Sequence, residues 1–175
     1  MKKNREQEIR KSLLGLLPSI PDQCIDINLS SQEMCVTLND GRHLLYPVSS
    51  SRFGIGNEEG SLKTPTGVHS IIQKIGAGSQ PGTIFKSRKN TGMIWKPGMD
   101  EENMILSRIL RLKGLEPGKN SGPGIDSYDR YIYIHGTNRE QDIGTPLSHG
   151  CICMRNADIV ELFDIIEENT IVYIG

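Results

Sequence analysis

Apolar residues recur at helical spacing near each end of this chain, and between those stretches they alternate with polar residues in short runs. Ile9, Leu13, Leu16 and Leu17 predict a helix over Glu6 to Leu17 that Pro18 and Pro21 stop. Met34 to Leu38 and Leu44 to Val48 read as strands flanking Asn39 to Arg42, where the Asp40-Gly41 pair signals a hairpin. Val68 to Ile72 and Thr83 to Phe85 add strands, and the Gly, Lys and Ser-rich remainder of Gly76 to Asp100 reads as loops. Asn103 to Leu112 fits helix or strand by period alone, and Gly114 to Tyr128 is loop. Arg130 to His135 alternates as a strand, with Tyr131, Tyr133 and His135 on one face. Ile159, Leu162, Phe163 and Ile166 then mark a helix over Ala157 to Glu168 with Asn156 as its N-cap, and Thr170 to Ile174 closes as a strand.

Many short strands with few helices and no internal repeat predict a mainly β sandwich or barrel-like domain. The expected division is an N-terminal helical extension over 1–22 and one domain over 23–175. A chain of 175 residues with a net charge of −1 suits a single buried core. It carries no basic surplus for nucleic acid, and its longest early apolar cluster, Leu13 to Leu17, is too short to span a membrane.

The chemistry concentrates between His135 and Asn156. A thiol attacks a carbonyl as thiolate, so it needs a base within reach, donors for the oxyanion and room for close backbone approach. Cys151 follows Gly150, whose backbone freedom suits a tight turn, and the amides around Gly150 and Cys151 are the expected oxyanion donors. His135, at the end of a strand, is the candidate base, with the carbonyl of Gly136 orienting its ring.

These residues carry a resemblance. His135, Gly136 and Thr137, followed by Ser148, His149, Gly150, Cys151, Ile152, Met154 and Asn156, resemble the signature of the L,D-transpeptidase catalytic domain, the YkuD-type family. Ser49 to Asn57 and Leu62 to Val68 resemble the strand and the TPxG turn upstream in the same family. From about Tyr46 onward the likeness covers about three-quarters of the chain. It implies a mainly β fold and a peptidoglycan enzyme: Cys151 attacks the L,D bond of a tetrapeptide stem, D-alanine leaves, and the acyl group passes to an amine. His135 is then the base, Gly136 its orienter, and Ser148 and His149 shape the loop. Stem peptides, and a wall-linked protein as acceptor, are the implied partners, without a cofactor or metal. Hydrolysis of the same acyl-enzyme, a carboxypeptidase or amidase outcome, needs no other residues.

One position departs from the pattern: Cys153 stands where many members carry Arg or Asn. A substrate carboxylate suits a guanidinium, so Arg155, or Arg108, Arg111 or Arg130, is expected to substitute. The rival from another class is a zinc or redox module using His135, His149, Cys151 and Cys153, whose crowded spacing strains one loop. Cys24 and Cys35 read as small buried hydrophobes, and His43 and His69 as surface or packing histidines. Thr64 to Gly67 is by itself a turn. The N-terminus shows no export signal, so the expected compartment is cytoplasmic as written, the alternative being the cell envelope where the inferred substrate lies.

Overall fold

In the computed structural model, which describes residues 2–99 and 102–175, the chain forms a mixed sheet with a helix at each end of the sequence. The first helix, α1, covers Lys2–Leu14, starting earlier and ending sooner than its apolar spacing predicts. Leu13 buries against Val68, Ile171 and Tyr173, and Arg5 ties the helix to the sheet through Asp26 at 2.5 Å. Among the described residues no helix is long and apolar enough to cross a membrane.

Strands β1 (Cys24–Asn28), β2 (Glu33–Thr37), β3 (His43–Pro47), β4 (Gly67–Ile75), β5 (Thr83–Lys86), β6 (Lys89–Ile94), β7 (Ile105–Gly114), β8 (Tyr133–Gly136), β9 (Ile152–Met154) and β10 (Ile171–Ile174) make up the sheet. Its order is β3-β2-β1-β10-β4-β7-β5-β6, with β8 pairing both β7 and β9. The β2–β3 hairpin turns where the Asp-Gly pair predicts, with Gly41 at φ +82°. The second helix, α2, covers Asn156–Ile165 and buries Ile159, Leu162 and Phe163.

The sequence left the class of Asn103 to Leu112 open; it is strand β7, pairing with three neighbours. Gly76 to Asp100 is less irregular than expected. Besides β5 it holds β6, an exposed edge whose polar residues give no alternating signal; Asp100 lies outside the described residues. Cys24 and Cys35 are half-buried rather than buried.

Alternation splits the sheet around the site into two faces. Leu110, Leu112, Ile134, Ile152 and Met154 join the main core with Ile159, Leu162 and Phe163 of α2. Ile109 and Tyr133 face the other way, packing with Phe85 and the partly buried Cys151. The chemistry-bearing residues sit on that second face.

Candidate active site

Parallel strands β8 and β9 pair His135 with Cys153, and two residues back along the register Tyr133 stands beside Cys151. Paired positions of neighbouring strands share a face, so one face of the sheet presents His135 and both thiols. The predicted face is only partly right. Tyr131 precedes β8 with φ +57° and is 54% exposed, so it joins the site through its backbone and ring from a turn.

His135 is buried, and its Nδ1 lies 2.7 Å from the carbonyl oxygen of Gly136. A carbonyl only accepts, so Nδ1 carries the hydrogen and Nε2 keeps its lone pair. Burial pushes the imidazole down to about 4, against the pull of the Gly136 carbonyl, leaving the ring neutral near pH 7. Gly136 must be glycine for packing: a Cβ there would come within 2.5 Å of Asn156 Oδ1 and 2.7 Å of the Leu106 carbonyl.

The two thiols differ sharply. Cys151 is partly exposed; its Sγ accepts from the Tyr133 N–H at 3.4 Å and donates to the Tyr131 carbonyl at 3.5 Å. Burial raises it to about 11, opposed by the Tyr133 amide and the charge of Arg130. Cys153 is fully buried, takes a hydrogen bond from Asn103 Nδ2 at 3.3 Å and lies 3.9 Å from His135 Nε2. Burial raises its thiol to about 12. Both thiols and the imidazole are therefore neutral at rest.

The loop carrying Cys151 is held from outside itself. Gly150 has φ +129°, and a Cβ there would meet Ile132 Cδ1 at 3.2 Å. Its amide donates to Ser148 Oγ, whose hydroxyl donates to the Cys151 carbonyl at 2.5 Å. That commitment narrows the expected oxyanion donors to the Cys151 amide. Buried Thr64 accepts from the Ser51 amide at 2.9 Å and donates to the Gly150 carbonyl at 3.0 Å. The Ser49 amide and carbonyl pair with Cys153, and Ser50 takes the amides of Leu147 and Ser148. The two sequence blocks noted upstream are thus the scaffold of the Cys151 loop, a role no local pattern reveals.

The remaining candidates separate. His149 is exposed, accepting from Arg52 through Nε2 at 2.9 Å and stacking on Phe53. Thr137 donates to Asn103 Oδ1 at 2.7 Å, behind His135. Asn156 is not the N-cap: Arg155 occupies that position, without a side-chain cap, and is exposed. Asn156 instead donates to the Thr137 carbonyl and Glu140 and accepts from Ser107, bracing the strand end that bears His135. Among the arginines, Arg108 turns to the α2 face, over Phe163. Arg130 donates to the carbonyls of Gly56 and Lys63, and with Tyr131, Ile132, Leu62, Asp129 and His149 it lines a cavity of about 200 Å³ beside the Cys151 loop. Arg111 lies on the site face beside Tyr133. Among the described residues no group of three or more His, Cys, Asp or Glu converges to hold a metal ion, and the Arg52 contact of His149 separates it from the other members of the zinc set.

Known proteins resemble this chain in sequence and in fold. The model of the L,D-transpeptidase catalytic domain, YkuD, matches residues 22–174. The chain is 49% identical over 165 residues to the putative L,D-transpeptidase YkuD of Bacillus subtilis, covering 91% of this chain and 73% of that one. It is 35% identical over 162 residues to the probable L,D-transpeptidase ErfK/SrfK of Salmonella typhimurium, covering 89% of this chain and 48% of the other. The chain thus spans about half the length of the ErfK/SrfK relatives it matches. In fold it is similar to the catalytic domain of the Enterococcus faecium L,D-transpeptidase acylated by ertapenem, with a TM-score of 0.53, 18% identity, and coverage of 89% of this chain and 98% of that one.

Proposed function

Because the chain belongs to the L,D-transpeptidase catalytic domain family, we propose that it is a cysteine-dependent acyltransferase acting on peptidoglycan stem peptides. Cys151 is the nucleophile: it is the partly exposed thiol of the pair, on the loop whose His149 lines the cavity, whereas Cys153 has no open face. The observation that carries the reading is the 2.7 Å contact of His135 Nδ1 with the Gly136 carbonyl, which leaves Nε2 free to take a proton.

At rest the Cys151 thiol is parked on Tyr131 and Tyr133. Rotation about its χ1 between staggered wells brings Sγ toward His135. As Sγ bonds to the carbonyl carbon of the L,D linkage, its proton passes to His135 Nε2, and the carbonyl oxygen becomes an oxyanion facing the Cys151 amide. The C–N bond then breaks, His135 returns the proton to the nitrogen of the departing D-alanine, and a thioester remains. An acceptor amine attacks it, losing its proton to His135, and the proton returns to Sγ as the new amide forms. A neutral imidazole beside a neutral thiol suits this route, since the proton moves only when a carbonyl is in place.

Intact-protein mass spectrometry tests the reading, using a carbapenem and, separately, a tetrapeptide stem. An adduct present in the unsubstituted chain and absent in Cys151→Ala is expected, with His135→Ala slowing its formation ~10²–10⁴-fold, the usual span for lost general-base help. Adduct formation at an unchanged rate in His135→Ala removes the histidine from the reaction.

A further inference from the structure

Two arginines converge beside the nucleophile without a carboxylate partner. Arg111 of β7 pairs in register with Tyr133 of β8, placing it in the same row as Cys151. It is 7% exposed, its guanidinium lies 3.5 Å from the Tyr128 ring centre and 5.6 Å from that of Tyr131, and its Nε is buried without a hydrogen-bond partner. Arg88 reaches the same ring from the β5–β6 turn, 5.1 Å from the Tyr131 centre, and donates to Tyr133 Oη at 3.0 Å. Among the described residues neither arginine makes an ion pair. A nearly buried cation resting on aromatic faces and one carbonyl is incompletely compensated.

The backbone here is strained in the same place. Ser87 and Arg88 form a two-residue hairpin loop with φ of +48° and +65°, a geometry that favours Asn and Gly. Tyr131, whose carbonyl takes the Cys151 thiol, has φ +57°. Such conformations in residues with side chains persist where the surroundings impose them, and they gather at binding sites.

We propose that Arg88 and Arg111, which both approach the Tyr131 ring, bind the terminal carboxylate of the donor peptide, an inference that rests on the acyl-transfer reading above. Two strand spacings, about 10 Å, separate the backbones of Arg111 and Cys151. One terminal residue of roughly 3.5 Å together with the arginine side chain bridges that span. The pair thereby supplies the planar cationic recognition that Cys153 does not, and fixes which peptide bond lies over Sγ.

The test is calorimetric binding to the full chain carrying Cys151→Ala, so that no turnover intervenes, with a tetrapeptide stem and its analogue amidated at the terminal carboxyl. The acid should bind about tenfold more tightly than the amide, the scale of one charge-assisted pair. Arg88→Gln, at a half-buried position of the hairpin tip, should bring the two within about twofold, and Arg111→Lys should do the same while keeping the charge, because the fork geometry is lost. Equal binding of acid and amide, an unchanged ratio in Arg88→Gln, or no binding of either peptide overturns the inference. Carbapenem acylation of the unsubstituted chain reports separately: acylation without carboxylate discrimination removes only this inference, and discrimination without acylation removes only the acyl-transfer reading.

Discussion

Cys153 Sγ lies 3.9 Å from His135 Nε2, while Cys151, two residues earlier on the same face, directs its thiol to backbone groups of Tyr131 and Tyr133. The contact to Cys153 is long even for sulfur and weak as a hydrogen bond. The thiol sits beside the nitrogen that the acyl-transfer reading assigns to proton uptake, but it is fully buried and substrate cannot reach it.

Cys153→Ala should therefore keep carbapenem acylation within about threefold of the unsubstituted rate, a loss under ~1 kcal/mol in barrier, whereas Cys151→Ala abolishes it. Mass spectrometry of the two variants side by side checks this. An adduct that survives in Cys151→Ala and vanishes in Cys153→Ala would exchange their roles.

The thiol of Cys151, raised to about 11 by burial, bears on alkylation. Only the thiolate reacts, so the rate with iodoacetamide should keep climbing above pH 9, the ordinary value, and level off near 11. A plateau at or below pH 9 in the Cys153→Ala background would show that the resting thiol is not held up by its surroundings.

Thr64 bridges the Ser51 amide and the Gly150 carbonyl with one buried hydroxyl. Thr64→Val preserves shape but leaves both groups unpaired, which costs ~1–3 kcal/mol per buried group. Denaturant titration should register that loss, and acylation should slow with it. Thr64→Ser should restore both. Unchanged stability in the valine variant would mean that the bridge contributes nothing.

His69 and His135 are both buried and pushed by burial from 6.5 down to about 4. Above pH 6.5 both are neutral, folded or unfolded, and their full contribution is present. As pH falls from 6.5 toward 4 the unfolded chain takes up protons that the folded one refuses, so stability declines by on the order of 3 kcal/mol per histidine. Denaturation midpoints measured across that window should fall, and His69→Gln should remove about half of the slope above pH 5. A flat profile refutes the buried neutral state. The His69 Nε2 contact with Ser127 Oγ at 2.9 Å, opposite Nδ1 on the Gly67 carbonyl, also makes this ring a tie between β4 and the loop that follows β7.

What the sequence made legible was local. The Asp40-Gly41 hairpin and the apolar face of α2 follow from neighbours in the chain, and the spacing of His135 and Cys151 carries the likeness to a family. Asn156 misled because an asparagine at a helix start is as good a brace as a cap, and only the positions of Ser107 and Glu140 tell which. The polar edge β6 has no buried face to leave a pattern. Arg88 and Arg111 meet at Tyr131 through β5, β7 and β8, a convergence that sequence distance conceals.

The parallel pairing of β1 with β10 joins Cys24 to Ile171, and the Ser49 bridge reaches Cys153, each linking positions more than a hundred residues apart. Contacts of that range form slowly, after the loop entropy between them has been overcome. On a ribosome the reactive thiol therefore emerges before the strand that completes the sheet's middle. Its scaffold reaches back to Ser49, Ser50 and Thr64, so the Cys151 loop is assembled as a product of long-range folding rather than as a part of any local fragment.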